Sequence, residues 1–452
     1  MASDPMTPFL ARLTAALAEL SRDPVPSGYA VAYSGGRDST VLLSGCQRLG
    51  LAAPLRALHV DHGLHDDSAL WAQRCGETAT SLGVEFDSRR VSVATAAGRG
   101  TEAAARQARY DALEEMLLPG EMLLTAHHQD DQLETVLLRL FRGAGVKGLR
   151  GISAHAAFGR GTLARPLLGF SRDEIRRAAV GLGLAWIEDP SNADPRFDRS
   201  FLRAAVLPLL KQRWPAVAAT VSRTARQMRD AQQLLERVAA ADASGTATPA
   251  RLPRQAISLL SEARQRNLLR HFIEANGLPL PGAAQLEQVL AALRVERRDA
   301  QPRVAWPGAE VRLFRDTLYL VSPLGPRSGS KHRGRVAPEQ PWSGPEGRVE
   351  LIADGDAEAP GLPESWVRDG LELRFREGGE RFKPLRARYS RALKKLLQDA
   401  GVVPWMRGRV PLLYRGDQIV AVGDLWVCDG VRAARGAATT WRIGWTGHPE
   451  LY

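Results

Sequence analysis

The sequence has little cysteine and no long apolar run. Its 452 residues include only Cys46, Cys75 and Cys428, which lie far apart and are odd in number. This spacing excludes a disulfide framework, a zinc motif of paired cysteines and a Cys-x-x-Cys redox motif, and it favours a reducing compartment. No stretch approaches membrane-spanning length, and the first twenty residues lack the basic start and continuous apolar segment of a signal peptide. We therefore expect a cytoplasmic protein without a membrane partner.

Acidic residues are fewer than basic residues. Fifty Asp and Glu residues stand against 61 Lys and Arg residues, which gives a formal net charge of +11. An excess of this size favours a polyanionic partner, and nucleic acid is the first candidate. A general habit of composition in an Arg-rich and Ala-rich proteome is the alternative explanation, so charge alone does not identify the partner.

The order of the segments predicts an α/β protein with more than one domain, as expected for this length. Strand-like and helix-like segments alternate at the beginning, which predicts a Rossmann-like parallel sheet with helices on both faces. The chain then becomes mainly helical, passes a segment rich in Pro, Gly and Ser, and ends in a small α+β region. The predicted divisions are a first domain at 1–215, a helical domain at 216–322, a linker at 323–347 and a basic C-terminal domain at 348–452.

Short apolar runs locate the strands of the predicted sheet. Five segments of the first domain have this pattern: 29–33, 55–60, 84–91, 122–126 and 184–187. Because ligands of parallel sheets bind beyond the carboxyl ends of the strands, polar clusters at those ends are candidate site residues. Farther along the chain, the pattern at 304–321 predicts a hairpin that turns near Arg315 and Asp316.

The first predicted strand runs into Ser34-Gly35-Gly36-Arg37-Asp38-Ser39, and an apolar helix follows. The glycines allow a ligand to approach the backbone, Ser39 or Thr40 can cap the helix, and the helix start favours an anion such as phosphate. Asp38 would repel a phosphate unless a cation lay between them, which predicts Mg²⁺ held by Asp38 and a polyphosphate. The spacing fits neither a Walker A motif nor Gly-x-Gly-x-x-Gly. A turn that merely needs glycine is the alternative.

Polar residues also follow the second and fourth predicted strands. His59 and Asp61 close the second strand, where the backbone can hydrogen-bond an adenine edge. The fourth strand leads into the run 127–135, in which Asp131 and Glu134 lie one helical turn apart. Two interpretations stay open for this run. Its histidines and carboxylates have spacings compatible with a divalent metal, or the carboxylates bind an ammonium group while a histidine contacts ATP or a base.

Arginines recur at helical spacing. Arg106 and Arg109 share one predicted helix face, and Arg199 and Arg203 share another. Fixed guanidinium groups can hold phosphate oxygens and stabilise charge at a pentavalent phosphorus. Segment 374–395 carries nine Lys and Arg against two Glu, with a tryptophan nearby, which suits phosphate contacts and base stacking. Taken singly, each set is more often a solvated face.

Together these motifs resemble the tRNA(Ile)-lysidine synthetase family, PP-loop ATP-pyrophosphatases that adenylate a substrate and release pyrophosphate. The resemblance runs from about residue 28 to residue 425 in the order of the family. At two positions, His65 and Ser200, the family usually has Arg and Asn, which puts minor contacts there in doubt. The matching blocks are 34–39 (SGGRDS), 61–64 (DHGL), 102–110 (E-x-x-AR-x-x-RY), 127–135 (HH-x-x-DQ-x-ET), 165–168 (RPLL), 189–192 (DPSN), 199–203, 379–405 and 411–422.

The resemblance implies a reaction in two steps. ATP adenylates the C2 oxygen of the wobble cytidine in the CAU-anticodon isoleucine tRNA, and the ε-amine of free L-lysine then displaces AMP to give lysidine. Arg106, and with it Arg203, would steady the α-phosphate, His127 would contact ATP or the base, and Asp131 and Glu134 would bind lysine. The helical and C-terminal domains would bind tRNA. The nucleotide-binding set is Ser34, Gly35, Gly36, Arg37, Asp38, Ser39, His59 and Asp61, with Mg²⁺ at Asp38.

Other classes of protein are weighed against this hypothesis. A tRNA thiolase with the same loop would need catalytic or cluster-binding cysteines, and the three present have no paired spacing. A ligase fed by an amidotransferase would need a glutaminase nucleophile, and none is visible. A non-catalytic RNA-binding protein stays open, and substitution of Asp38 would distinguish it. The oligomeric state also stays open, with a homodimer as one possibility.

Overall fold

A computed structural model of the chain divides it into two compact units, Met1–Leu234 and Leu235–Tyr452. The boundary between them falls within one long helix, and the predicted domain boundaries given above stay predictions. The residues that the structure describes are 7–63, 65, 67–92, 101–188, 198–244, 250–294, 301–325, 333–354, 361–429, 440–449 and 451, with the side chains of 101–103 and 354 outside that set.

The first unit is built on one six-stranded sheet in the order β3-β2-β1-β4-β6-β5. All neighbouring strands are parallel except β5 and β6, which form an antiparallel hairpin. The strands are β1 Gly28–Ala32, β2 Leu55–Asp61, β3 Glu85–Arg90, β4 Glu121–Leu124, β5 His155–Phe158 and β6 Gly161–Ala164. The helices are α1 Thr7–Leu20, α2 Arg37–Leu49, α3 Ser68–Ser81, α4 Thr101–Met116, α5 Gln129–Phe141, α6 Val146–Leu149, α7 Arg172–Gly181, α8 Asp198–Phe201, a π-helical turn Leu202–Val206, α9 Leu207–Arg213 and α10 Val217–Ala243.

Alternation along the central strands shows that helices cover both faces of this sheet. In β1, Tyr29 and Val31 belong to one buried cluster with residues of α1, α2 and α7, whereas Ala30 belongs to a second cluster with residues of α4. Neighbouring β4 divides in the same way, with Leu123 alone in the second cluster. Because successive side chains of a strand point to opposite faces, each face has its own apolar layer. The predicted α/β fold is confirmed.

One predicted strand is wrong. Segment 184–187 forms no strand, and the place beside β4 is taken by β6. Segment 184–187 instead packs as coil, and the Ile187 N–H donates to the carbonyl oxygen of Gly35 at 2.9 Å. The hairpin of β5 and β6 escaped prediction because its strands are only four residues long and contain Thr162 as their one β-branched residue.

The second unit contains the helices and several small antiparallel sheets. Its sheets have the strand orders β7-β10-β9-β8, β11-β15-β18-β19-β20, β12-β13-β21-β14 and β16-β17. The helices are α11 Arg254–Ser258, α12 Glu262–Ala275, α13 Ala283–Leu293, α14 Glu364–Val367 and α15 Leu393–Asp399. The strands are β7 Arg251–Pro253, β8 Arg303–Trp306, β9 Ala309–Phe314, β10 Thr317–Val321, β11 Gly334–Val336, β12 Trp342–Gly344, β13 Gly347–Asp354, β14 Leu362–Pro363, β15 Leu371–Phe375, β16 Arg381–Phe382, β17 Arg391–Ala392, β18 Pro411–Arg415, β19 Gln418–Val422, β20 Trp426–Val427 and β21 Thr440–Thr446.

The predicted hairpin is confirmed, and the described part of the predicted linker contains two short strands. Strands β9 and β10 pair antiparallel, and the turn residues Arg315 and Asp316 have φ of 47° and 59°, as a two-residue type I′ hairpin requires. Segment 323–347 contains the strands β11 and β12, which join two different sheets. Its clustered Pro, Gly and Ser conceal these short strands from periodicity. Within the described residues, no helix combines the length and the apolarity that crossing a membrane needs.

Candidate active site

The loop between β1 and α2 is held in a shape that only glycine permits. Gly35 has a φ of +77°, and a Cβ added there would lie 2.6 Å from Cys75 Sγ and 2.8 Å from Ile187 Cδ1. A larger residue would therefore be strained in its backbone and would collide with the apolar layer below. The buried Cys75 of α3 and the partly buried Ile187 thus fix the position of this loop.

The start of α2 carries no side-chain cap among the described residues. Gly36 is the N-cap residue, whereas the hydroxyl groups of Ser39 and Thr40 each donate to the Gly36 carbonyl oxygen at 2.9 Å. The expectation that Ser39 or Thr40 caps the helix is therefore wrong. Ser34 Oγ lies 3.1 Å from Ser39 Oγ. Backbone N–H groups at this helix end and two neighbouring hydroxyls are the donors that a phosphate group needs.

Asp38 lies in the first turn of α2 between the side chains of Arg37 and His128. Arg37 Nε donates to Asp38 Oδ1 at 2.9 Å, and His128 Nε2 lies 3.4 Å from Asp38 Oδ2. Burial opposes ionisation of this carboxyl group, but the hydrogen bond and charge of His128 and the charge of Arg37 outweigh burial and lower the pKa of Asp38. Asp38 is thus an anion at neutral pH, as a ligand of a divalent cation must be.

His128 connects the loop carboxylate to the start of α5. Its Nδ1 accepts the Asp130 N–H at 3.2 Å, which caps the helix and assigns the ring proton to Nε2. Nε2 faces Asp38 and Asp131, the latter at 3.6 Å. Burial works against a charged ring, but the hydrogen bond to Asp38 and the surrounding carboxylates raise the pKa of His128.

Asp131 and Glu134 share one guanidinium group. Arg203 Nε donates to Glu134 Oε1 at 2.5 Å, and Arg203 Nη2 donates to Asp131 Oδ1 at 2.9 Å. Glu134 is 1% exposed, and burial raises its pKa despite Arg203. Burial also opposes ionisation of Asp131, but His128 and the other cations nearby lower its pKa. The two carboxylates therefore form a cation site that the chain fills with its own arginine.

Asp38, His128, Glu134 and Arg203 line one cavity of about 280 Å³ in the first unit. The carboxylates of Asp38 and Glu134 face it, together with the guanidinium group of Arg203. Lys211 and Asp130 also line the cavity, and Lys211 Nζ lies 2.6 Å from Asp130 Oδ1. The cavity thus places a phosphate-binding loop beside a site for a cation, which is the arrangement that an amine attacking an adenylated group requires.

His127 is a neutral ring in this site. Burial lowers the pKa of His127 to about 3, although the nearby Asp131 carboxylate works in the opposite direction. Its Nδ1 lies 2.9 Å from Thr125 Oγ1. A ring with this pKa is uncharged at neutral pH, so His127 offers a hydrogen-bonding group and no positive charge to the site.

His59 and Asp61 support the loops beside the cavity. His59 Nδ1 lies 2.9 Å from the Tyr33 carbonyl oxygen, which joins the end of β2 to the end of β1. Asp61 Oδ1 accepts the Gly63 N–H at 2.8 Å and so shapes the turn after β2. Burial lowers the pKa of His59, so its ring is neutral. Contacts of these residues with an adenine edge stay a prediction.

A second group of cations surrounds Tyr110. The guanidinium carbon of Arg106 lies 5.1 Å from the Tyr110 ring centre, and that of Arg109 lies 5.8 Å from it. Burial lowers the pKa of Arg109 and of Arg165, and repulsion from Arg106 acts in the same direction. Sequence reasoning found the first two arginines but gave Arg165 no role, although the RPLL block contained it. This group has the charge to attract a phosphate.

Some of the remaining predicted site positions lie outside the described residues, whereas others are stacked or buried. Block 189–192 lies outside the described residues, as does the side chain of Glu102. His65, a departure from the family pattern, stacks on Trp71 with ring centres 4.7 Å apart, and Ser200, the other departure, is buried. Among the described residues, no group of three His, Cys, Asp or Glu side chains could hold a metal ion, so the metal-cage interpretation of 127–135 has no support.

Most cations of segment 374–395 have a carboxylate partner in the structure. Four cations of the segment, Arg381, Arg386, Arg388 and Lys394, form no ion pair within the part of the chain that is described. The paired ones are Arg374 with Glu372 at 2.8 Å, Arg376 with Glu380 at 3.3 Å, Lys383 with Asp429 at 2.5 Å, Lys395 with Asp399 at 3.6 Å, and Arg391 also with Asp399. The segment therefore has fewer unpaired cations, among the described residues, than its sequence alone indicates.

Comparison with known proteins adds three matching family models and a set of long relatives. The models are a PP-loop domain at residues 9–210, a TilS substrate binding domain at 252–319 and a TilS substrate C-terminal domain at 371–445. The tRNA(Ile)-lysidine synthase of Alkalilimnicola ehrlichii is 42% identical and covers 88% of this chain and 90% of its own. The same enzyme of Coxiella burnetii is 37% identical over 92% and 93%, and that of Methylococcus capsulatus is 40% identical over 88% and 91%.

Proposed function

The chain belongs to the tRNA(Ile)-lysidine synthase family, and from that premise we propose how its residues carry out the two steps of the reaction. Membership makes it a ligase that forms lysidine on isoleucine tRNA, with ATP and tRNA as partners. The observation that carries the proposal is the position of His128, which joins the loop carboxylate Asp38 to the carboxylate of Asp131. The loop that would bind phosphate and the carboxylates that would bind the amine are therefore neighbours.

In the first step, the cytidine C2 oxygen attacks the α-phosphorus of ATP, and pyrophosphate leaves. The uncapped start of α2 and the hydroxyl groups of Ser34 and Ser39 would hold the departing pyrophosphate. Arg106, on the face of α4 that also carries Arg109, would stabilise negative charge at the α-phosphate. Charge stabilisation of this kind commonly supplies a hundredfold or more in rate.

Mg²⁺ fits this site with Asp38 as its protein ligand. Mg²⁺ is usually held by one or two carboxylates together with substrate phosphates and water, so an ionised Asp38 beside a phosphate loop suffices. When bound, the ion would neutralise charge that develops on the leaving pyrophosphate. The low pKa of Asp38 is the property of the chain that suits this role.

In the second step, the ε-amine of lysine attacks C2, and AMP leaves. We propose that Asp131 and Glu134 bind the ammonium groups of free lysine, and that Arg203 leaves them for the α-phosphate when the substrates are present. Arg203 donates to both carboxylates in the structure, so an incoming cation replaces a cation and no buried carboxylate is left alone. Such an exchange would couple lysine binding to the presence of the nucleotide.

The state of the cysteines supports ligation over sulfur transfer. Burial raises the pKa of Cys46 and of Cys75 to about 12, so neither side chain is a thiolate at neutral pH. Cys428, the third, is also free and buried, and burial raises its pKa. Three free thiols are compatible with the proposed cytoplasmic location.

A homodimer is one oligomeric state to be tested by sedimentation.

The test is incorporation of labelled lysine into isoleucine tRNA transcripts with a CAU anticodon, in the presence of ATP and Mg²⁺. Asp38→Asn keeps the size of the side chain and removes its charge, so we expect labelling to fall by about a hundredfold or more. Asp173→Asn, at an exposed position in the first turn of α7, is the matched control and should label like wild type. Thermal unfolding and tRNA binding of both variants should stay close to wild type.

Two results would contradict the proposal. Wild-type rates from Asp38→Asn would remove the loop carboxylate from the reaction. Absence of lysine-dependent labelling in wild type, together with ATP–pyrophosphate exchange on another substrate, would retain the adenylation chemistry and exclude lysidine formation.

A further inference from the structure

Two phenylalanine rings are exposed at the ends of α5, which lines the cavity, and of α8, which precedes the π-helical turn that carries Arg203. Phe141, the last residue of α5, is 67% exposed, and Phe201, the last residue of α8, is 52% exposed. Large aromatic side chains at such exposure often mark a binding surface when they share a region. Neither residue has a place in the chemistry derived above.

Polar contacts hold these two helices against each other. Arg142 Nη2 lies 3.0 Å from Asp198 Oδ2, at the end of α5 and the start of α8. Arg199 Nη2 donates to Thr135 Oγ1 at 3.0 Å, and the π-helical turn continues to Arg203, which reaches Glu134. The exposed rings therefore lie on α5, which carries Asp131 and Glu134, and on α8, directly before the turn that carries Arg203.

Cations around these helices bind carbonyl oxygens in place of carboxylates. Arg139 Nη1 donates to the Gly148 and Gly151 carbonyl oxygens at 2.8 and 2.9 Å. Arg229 Nη2 donates to the Ile152 carbonyl oxygen at 3.2 Å. A carbonyl partner orients a guanidinium group without cancelling its charge. Burial lowers the pKa of Arg139, and the charges of Arg150 and Arg199 lower it further, so this region repels cations and attracts anions.

We propose that Phe141 and Phe201 are stacking platforms for unpaired bases of the RNA loop that brings the reacting cytidine into the cavity. The inference rests on the proposed function, because it takes the substrate to be an anticodon loop. A base can reach an enclosed site only after it leaves its stack, and its neighbours are then splayed as well. Exposed aromatic rings bind such bases, and guanidinium groups without a carboxylate partner among the described residues, such as those of Arg139 and Arg229, attract their phosphates.

An anticodon stem-loop RNA with 2-aminopurine in place of the adenine that follows the reacting cytidine in CAU tests this. Stacking should quench its fluorescence in the wild-type complex. Phe141→Leu and Phe201→Leu keep apolar volume but remove the aromatic face, and each should weaken RNA binding about tenfold, with partial loss of quenching in at least one. Phe141→Trp should bind at least as well as wild type. Val180→Ala, an exposed apolar residue of α7, is the matched control and should change nothing.

The outcomes separate this inference from the function on which it rests. If both Leu variants bind and quench like wild type, and their KM for RNA in lysine transfer is unchanged, the stacking platforms are excluded while the ligase function stands. If wild type fails to transfer lysine but its quenching depends on both rings, the ligase function fails and the platforms stand. Sedimentation of wild type as a dimer that both Leu variants dissociate would assign the rings to a second copy of the chain and overturn the inference.

Discussion

Charged residues are arranged differently in the cavity at the start of α5 and in segment 374–395. In the cavity, buried carboxylates share a fixed guanidinium group, and removal of either partner leaves an uncompensated charge away from water. In segment 374–395 the ion pairs are mostly exposed, and water replaces a lost partner. We therefore expect the same residue types to determine the integrity of the site in one region and the affinity for a polyanion in the other.

The sharpest test of this comparison is Arg203→Ala. Because it leaves Glu134 and Asp131 without their shared cation, we expect the free energy of unfolding to fall by about 3 kcal/mol at neutral pH. Burial already raises the pKa of Glu134, so the ionised form is the destabilising one, and stability is lost as pH rises through the folded-state pKa. The loss should therefore be smaller at about pH 5 than at about pH 8. Urea unfolding at both values measures it.

Glu134→Gln in the Arg203→Ala background is the control for that prediction. It removes the stranded carboxylate, so part of the lost stability should return. An Arg203→Ala variant as stable as wild type at every pH would contradict the description of the cavity as a buried ion network.

A smaller effect is expected when cations of segment 374–395 are removed. Arg388→Gln and Lys394→Gln each remove an exposed cation with no ion pair among the described residues, so each should reduce the slope of log affinity for tRNA against log salt by about 0.7 to 0.9. Arg374→Gln removes a cation that is paired with Glu372 and lies 4.3 Å from the Tyr414 ring centre, so its effect on the slope should be smaller. Equal slopes for all three variants would show that pairing does not determine which cations meet phosphate.

The smallest effect concerns two adjacent histidines. Burial lowers the pKa of His127 to about 3, whereas neighbouring carboxylates raise that of His128. NMR titration of histidine rings between about pH 5 and pH 8 should show a static His127 signal and a moving His128 signal, with His127→Asn and His128→Asn providing the assignments. Titration of both rings near pH 6.5 would mean that the site is open to water.

The sequence predicted the sheet and the loop because their signals are local. An apolar run that breaks at Gly35 and Gly36 specifies a strand, a turn and a helix within fifteen residues. The strand at 184–187 was wrong because a short apolar run does not reveal which segment reaches the position beside β4. The pairing of Arg203 with Glu134 joins residues 69 positions apart, and linear spacing contains no information about such a contact.

Segment 374–395 shows the same limit for charge. Its run of cations is visible in the sequence, but the acids at Asp429 and Glu372 that neutralise part of it lie outside the run. Counting charge along the chain therefore overestimated the free cations of this region. In the cavity, linear spacing did not reveal that Arg203 pairs with Asp131 and Glu134.

The packing beneath Gly35 has a consequence for how this enzyme can change over evolution. A Cβ at Gly35 would lie 2.6 Å from the sulfur of Cys75 and 2.8 Å from a methyl group of Ile187. Three residues that are far apart in the sequence therefore pack together in one small volume. A larger side chain at any of the three positions would displace the loop between β1 and α2. A smaller side chain at Cys75 or Ile187 would leave that loop with less support. Substitutions at the three positions must therefore arise as compensating sets, and the loop sequence is constrained by residues that never meet the nucleotide.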